Sequence, residues 1–324
     1  MSDLKKIIVP IKNEMDSFEK KFRESVSSDV AVVDKIMHYI IKRKGKQIRP
    51  IFVFLSSKLF GKISKSSYTA ASLIELLHTA TLIHDDVVDE SNLRRGVFSI
   101  NAVWKNKIAV LVGDFLLSKG LLLSVKNKEY KMLEIMSSAV EQMSEGELLQ
   151  MEKSRKLNIS EDDYYKIIRK KTATLISACC ESGAVASKQC DTVCEKMRLF
   201  GEFAGMAFQI KDDLFDYESN INIGKPKGID IKDKKLTLPI IYSLNNVSYN
   251  QKRNIINTIK RDYDNEEKII ELYNIVKSCG GIDYSKKVMI EYHDKAIGIL
   301  NEFEDNEAKK SLILLLKFII NRKK

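Results

Sequence analysis

Apolar residues recur along nearly the whole chain at spacings of three and four, the period of a helix buried on one side. Through residue 30, Ile7, Ile8, Val9, Ile11, Met15, Phe18 and Phe22 stand among polar residues and predict one amphipathic N-terminal helix. A second helix is predicted over 30–41, followed by a basic loop with Gly45. Pro50 disfavours helical backbone at Arg49, so the next helix is expected from Ile51 to Leu59. Residues 67–84 hold neither Gly nor Pro and are apolar almost throughout, as a buried central helix would be. The pattern continues over 108–125, 130–153, 161–180 and 192–217, with Ser160 and Asp163 spaced like a helix start. A polar, lysine-rich loop is expected over 218–235; Pro239 opens or kinks the next helix, and roughly three more fill 249–322. No segment alternates as a strand would. No Gly/Ser linker or low-complexity tract marks a boundary, so one all-α domain spanning 1–324 is expected.

Composition agrees. Among 324 residues only 4 are Pro and 14 Gly, leaving few helix breakers, and 44% apolar residues can fill a core rather than leave the chain disordered. Lys and Arg exceed Asp and Glu by 10 (54 against 44), which fits an anionic partner or simply lysine-rich outer helix faces. With one Trp and no recognisable nucleic-acid motif, nucleic acid is not the expected partner. The cysteines, 179, 180, 190, 194 and 279, are odd in number and read as reduced helical residues; Cys190 and Cys194 lack the partners of a zinc site. The charged N-terminus lacks a signal-peptide core, so a cytoplasmic location is expected. The most apolar window, Ile108–Leu123, is broken by Asp114 and Lys119 and reads as too short to span a bilayer, though peripheral membrane contact for product release stays open.

The chemistry concentrates at 82–96. Asp85 and Asp89 are one turn apart on one helix face, with Asp86 and Glu90 as a second pair beside them. Four clustered carboxylates repel unless neutralised, and Mg²⁺ suits oxygen donors, commonly held by one or two carboxylates plus substrate phosphates. Arg94 and Arg95, closed by Gly96, suit phosphate oxygens. Alone, such a run is an ordinary solvated helix end as often as a metal site. A second copy, Asp212, Asp213 and Asp216, also follows an apolar helix and leads into a glycine-containing loop. Two clusters point to ionisation of a diphosphate ester, with metal ions neutralising the leaving group and Lys46, Arg49, Arg94, Arg95, Lys171, Lys225, Lys227 and Lys235 as basic candidates. His78 lies two turns before Asp85 on the same face; it is read as functional because of these neighbours.

These residues resemble the trans-isoprenyl diphosphate synthases, the polyprenyl synthetase family. The likeness runs from Gly45–Pro50 through His78, Asp85–Asp89, Arg94–Gly96, Lys171–Thr172, Phe208–Gln209 and Asp212–Asp216 to Gly224–Lys225, nearly the whole chain. It implies a bundle of long helices around a central cavity, generally homodimeric. It also implies Mg²⁺-dependent head-to-tail condensation of an allylic diphosphate with isopentenyl diphosphate. By the same resemblance Asp85, Asp89 and Asp212 hold Mg²⁺ on the allylic diphosphate, supported by Arg94, Lys171 and Lys235, with Asp86, Asp213 and Asp216 completing the acid motifs. Lys46, Arg49, His78 and Arg95 hold isopentenyl diphosphate, Lys225 adds to the basic clamp, and Thr172 and Gln209 steady the cation. The released diphosphate takes the final proton. Lys211, Lys227 and Ile229 depart from the usual pattern without arguing against activity.

In this family bulky aromatics just before the first acid motif stop chain growth, whereas Ala80 and Thr81 here are small. Thr81 is about 40° from Asp85 around the helix, Ala80 about 140° and Ile74 about 20°, the last roughly 16 Å down the axis. Ile74, Leu77 or the Leu121–Leu123 cluster is the expected deeper floor. The stretch from His78 to Ser91 most resembles octaprenyl diphosphate synthases, which make quinone side chains, so a product near eight isoprene units is expected. The alternatives are a short-chain geranylgeranyl or farnesyl synthase and a non-catalytic subunit of a heteromeric synthase. A terpene cyclase would lack the second acid motif.

Overall fold

The computed structural model describes residues 2–42, 45–94, 96–218, 231 and 235–322. The chain is all-α, as its periodicity predicts, apart from one two-stranded ribbon. It divides into two compact units, each discontinuous in sequence. All but one of their boundaries fall inside helices; the exception, between Glu304 and Asp305, lies in the loop before the last helix.

The first unit comprises Met1–Val140, Ala178–Arg198 and Asp305–Leu312. Its N-terminal stretch is not one helix. Helix α1 (Ser2–Ile7) and helix α2 (Lys12–Ser25) are separated by a 3-10 turn, Val9–Ile11, because Pro10 cannot donate within a continuous α-helix. After α3 (Ala31–Lys42), α4 runs Ile48–Leu59, so Arg49 is helical rather than extended. Pro50 lies in the first turn, where its missing N–H has no intrahelical partner to lose.

Helix α5 (Lys65–Val88) starts at a reciprocal cap in which Ser64 and Ser67 each accept from the other's backbone N–H. It buries Leu73, Ile74, Leu76, Leu77, Ala80 and Ile83. A short ribbon follows, β1 (Leu93–Arg94) against β2 (Val97–Phe98), turning through Gly96 at φ +76°. Periodicity gives no sign of strands this short. Helix α6 (Ile100–Lys126) begins earlier than its apolar run suggests, with non-helical backbone at Lys105 between its two pieces. It packs against α5 through glycines. A Cβ at Gly113 would fall 2.1 Å from His84 Nε2, and one at Gly120 would fall 3.2 Å from Leu73 Cδ1. By length and composition α6 could cross a bilayer, but its inner face is committed to α5. Its outer face exposes Val103, Val110, Leu111, Leu121, Leu122 and Val125.

The second unit comprises Glu141–Ser177, Leu199–Glu304 and Ile313–Lys324. It takes the latter part of α7 (Tyr130–Lys156), then α8 (Glu161–Ile168), capped by Ser160 and Asp163 as predicted. The segment expected as one helix over 161–180 is interrupted by a π-helical turn, Arg169–Ala173, before α9 (Thr174–Ala186). From Ala178 the rest of α9 and the start of α10 (Asp191–Glu218) belong to the first unit; the second resumes within α10 at Leu199 and continues with α11 (Leu238–Asn246, Pro239 in its first turn). Beyond residue 249 come α12 (Tyr249–Arg261), α13 (Glu266–Ser278), α14 (Gly281–Asn301) and α15 (Glu307–Asn321), one helix more than the pattern suggests. Met206, Ile210, Leu214, Leu238, Ile241, Ile255, Leu272 and Val276 belong to this unit's core.

Candidate active site

In the first unit the acid cluster closes α5, and its members are treated unequally. Asp86 is buried. Arg94 Nε donates to its two carboxylate oxygens at 2.8 and 2.9 Å, and Arg94 Nη2 lies 2.7 Å from Oδ1. Asn101 Nδ2 donates to the Asp86 carbonyl at 3.2 Å, and Ser91 N donates to the same oxygen at 2.9 Å. Asp86 therefore ties the ribbon and the start of α6 to the end of α5, and the guanidinium read as a phosphate ligand is engaged by a neighbour. Asp85 is half-buried and Asp89 exposed, one turn apart.

Ile74 and buried His78 share the Asp85 face with half-buried Thr81. Leu77 and the fully buried Ala80 lie on the stripe that includes Leu73 and His84, which packs on α6. Leu121 and Leu122, offered as a deeper floor, are exposed on the outer side of α6. Lys46 is exposed just before α4, and Arg49 is half-buried in its first turn. Arg49 and Glu75 both bear on Cys179, whose thiol is pushed up to about 12, chiefly by burial. Arg95, Lys225, Lys227 and Ile229 lie outside the described residues.

In the second unit the π turn sets the geometry. A π turn inserts one residue into the helical ladder and changes which side chains share a face. It sits hard against glycines on two neighbouring helices. A Cβ at Gly146 on α7 would lie 2.9 Å from Lys171 N, and one at Gly205 on α10 would lie 2.5 Å from Ala173 Cα. Lys171 pairs with Glu147 and donates to Gln150 Oε1 at 3.2 Å. Thr172 Oγ1 donates to Gln209 Oε1 at 2.7 Å, Gln209 Nε2 donates to Asp213 Oδ1 at 2.8 Å, and Tyr164 OH donates to Asp213 Oδ2 at 2.6 Å. Burial pushes the Asp213 carboxyl up to about 7, aided by the charges of Asp212 and Asp216 and opposed by the bonds from Tyr164 and Gln209.

The two clusters thus repeat one arrangement, seen separately in each unit. The middle aspartate, 86 or 213, is buried and hydrogen-bonded within the protein. The outer aspartates, 85 with 89 and 212 with 216, reach solvent. Among the described residues no group of three or more His, Cys, Asp or Glu side chains is gathered to hold a metal. One or two accessible carboxylates per cluster nonetheless fit Mg²⁺, whose remaining positions are commonly filled by water and phosphate oxygens. Lys235 is half-buried immediately before Leu236.

Several residues beside these clusters escape sequence reading. Tyr164 is an apolar-face position of α8 by spacing, and nothing local announces its bond to Asp213. Glu147 and Gln150 are ordinary polar positions of α7. Arg322, which donates to Asp212 Oδ1 at 2.5 Å, stands in a basic tail far away in sequence.

The polyprenyl synthetase family model matches residues 30–276. The chain is 34% identical over 325 residues to the octaprenyl diphosphate synthase of Escherichia coli (strain K12), covering 99% of each. It is 33% identical over 316 residues to heptaprenyl diphosphate synthase component 2 of Bacillus subtilis (strain 168), covering 97% of this chain and 89% of that one. A polyprenyl synthase from Caulobacter crescentus CB15, solved in complex with calcium and isoprenyl diphosphate, superposes with a TM-score of 0.91 at 31% identity, covering 99% of this chain and 98% of that one. With most of its length matched by the family model and full-length relatives above 30% identity, the chain belongs to the polyprenyl synthetase family and is a prenyltransferase.

Proposed function

We propose that the protein condenses an allylic diphosphate, farnesyl diphosphate foremost, with successive isopentenyl diphosphates. The product is a long all-trans polyprenyl diphosphate near eight units, used for quinone side chains. The observation that carries this reading is the repeated acid cluster with its middle aspartate sequestered and its outer pair accessible. Asp85, Asp89 and Asp212 are the carboxylates that would hold Mg²⁺. Bound Mg²⁺ would neutralise charge on the departing diphosphate and lower the barrier to C–O cleavage.

The chain's own groups do the rest. Lys171, held by Glu147 and Gln150, presents a fixed cation for diphosphate oxygens. The Thr172–Gln209–Asp213–Tyr164 relay orients two side-chain oxygens, whose lone pairs stabilise the allylic cation. Lys46, Arg49 and His78 orient isopentenyl diphosphate, with Arg95, Lys225 and Lys235 supplying further positive charge. The departing diphosphate accepts the final proton, so no protein base is required. Small Thr81, on the face of Ile74, and small Ala80, on the neighbouring stripe, support a long product.

The outer stripe of α6 supports a homodimer, since contiguous exposed apolar positions commonly mark protein interfaces. The likeness to a heptaprenyl synthase component favours a second reading, a heteromeric enzyme. Five free thiols support a cytoplasmic location. The test is product analysis of purified protein with Mg²⁺, farnesyl diphosphate and labelled isopentenyl diphosphate. A ladder ending near eight units supports the reading, a stop at three or four units replaces it with a short-chain synthase, and no condensation by folded protein favours the heteromeric reading.

A further inference from the structure

Arg322 follows the last helix and reaches back to the second acid cluster within the same unit. Its Nη2 donates to Asp212 Oδ1 at 2.5 Å and to the Phe208 carbonyl at 3.3 Å. The guanidinium lies over the Phe208 ring, 3.8 Å from its centroid, and 5.3 Å from that of Phe215, two turns along α10. The Arg322 side chain is 13% exposed and that of Asp212 37%. The ring faces and the carbonyl hold the guanidinium in addition to the carboxylate, so it is a fixed charge rather than a mobile one. Lys211, buried and 5.1 Å over the Phe215 ring, adds a second cation nearby.

A bare divalent cation approaching Asp212 meets a guanidinium that already shares this carboxylate, where partial burial weakens screening. The same cation arriving with diphosphate carries net negative charge, which the guanidinium attracts. We infer that Arg322 makes metal binding at Asp212 conditional on diphosphate, disfavouring the bare ion and favouring the ion–diphosphate pair. The inference rests on the reading of Asp212 as a metal-bearing carboxylate.

The test follows Mn²⁺ binding to the full-length protein by electron paramagnetic resonance, with and without inorganic diphosphate. The wild-type protein should bind bare Mn²⁺ weakly and bind it far better with diphosphate present. Arg322→Gln should tighten bare Mn²⁺ roughly three- to tenfold and shrink the gain from diphosphate. Arg322→Lys, which keeps the charge, should stay near wild type. Arg322→Met keeps the aliphatic packing and gives the same readout as Gln should that variant not fold. Unchanged or weaker bare Mn²⁺ binding in the neutral variants overturns the inference and leaves the proposed function standing. If Asp212→Asn leaves the number of Mn²⁺ ions bound in the presence of diphosphate unchanged, Asp212 bears no metal, and the inference falls together with that part of the proposed function, while the roles of Asp85 and Asp89 are untouched.

Discussion

Arg94 closes on Asp86 through three N–O approaches of 2.7 to 2.9 Å, so one member of the first acid cluster is a structural ligand of the ribbon beside it. Asp85 and Asp89 remain toward solvent. Adjacent aspartates should therefore fail differently. Asp86→Ala strands a half-exposed guanidinium and unties the ribbon, lowering stability by about 1–3 kcal/mol. Asp85→Ala should leave the melting temperature near wild type while turnover falls about a hundredfold or more. Denaturant melts and steady-state rates on the two proteins check the contrast.

Tyr164 and Asp213 make the corresponding pair in the second cluster, at 2.6 Å. Tyr164→Phe removes a donor from a buried carboxyl and should cost about 1–3 kcal/mol in urea unfolding. Because Gln209 donates to the same carboxyl and accepts from Thr172, kcat should fall more than KM rises.

Acid stability should depend on Asp163, which caps α8 ahead of the π turn. The hydrogen bond from Lys153, opposed by partial burial and aided by Ser160, holds its carboxyl down at about 2 against an ordinary value of 3.8. A lowered carboxyl contributes stability that is present above the unfolded value and is lost as pH falls through the folded one. Asp163→Asn should therefore differ most from wild type above about pH 4, the difference disappearing near pH 2. Thermal melts from pH 7 to 2 measure it.

Product length should respond to the Asp85 face of α5 more than to the face against α6. Thr81→Phe should shorten the product by at least one isoprene unit without loss of stability. Leu77 packs on Gly120, so Leu77→Ala should keep product length while destabilising by about 2–5 kcal/mol. Ala80 is fully buried, and Ala80→Tyr should both shorten the product and lower the melting temperature. Mass analysis of dephosphorylated products decides each case.

The outer face of α6 gives a prediction about assembly. Leu111→Glu with Leu122→Glu places two charges on the exposed stripe and should convert a dimer to monomer in light scattering after gel filtration.

The helices, the two acid clusters and the Lys171–Thr172 and Gln209 positions were legible in the chain. Helical period, the scarcity of Gly and Pro, and one-turn carboxylate spacing are local properties. The break at Pro10, the helical start at Ile48, the ribbon at 93–98 and the π turn at 169–173 were not, because each is a local exception stabilised by packing. The π turn, for example, depends on Gly146 and Gly205 of other helices leaving room for its backbone. Sequence spacing paired Asp85 with Asp89 and Asp86 with Glu90 but gave neither pair a different burial. Only tertiary structure separates Asp86 and Asp213, buried and answered by Arg94 and Tyr164, from the neighbours that reach solvent. The same holds for Arg322, whose bond to Asp212 joins residues 110 positions apart. Burial and long-range hydrogen bonding decide a carboxylate's role, and neither is a property of its place in the motif.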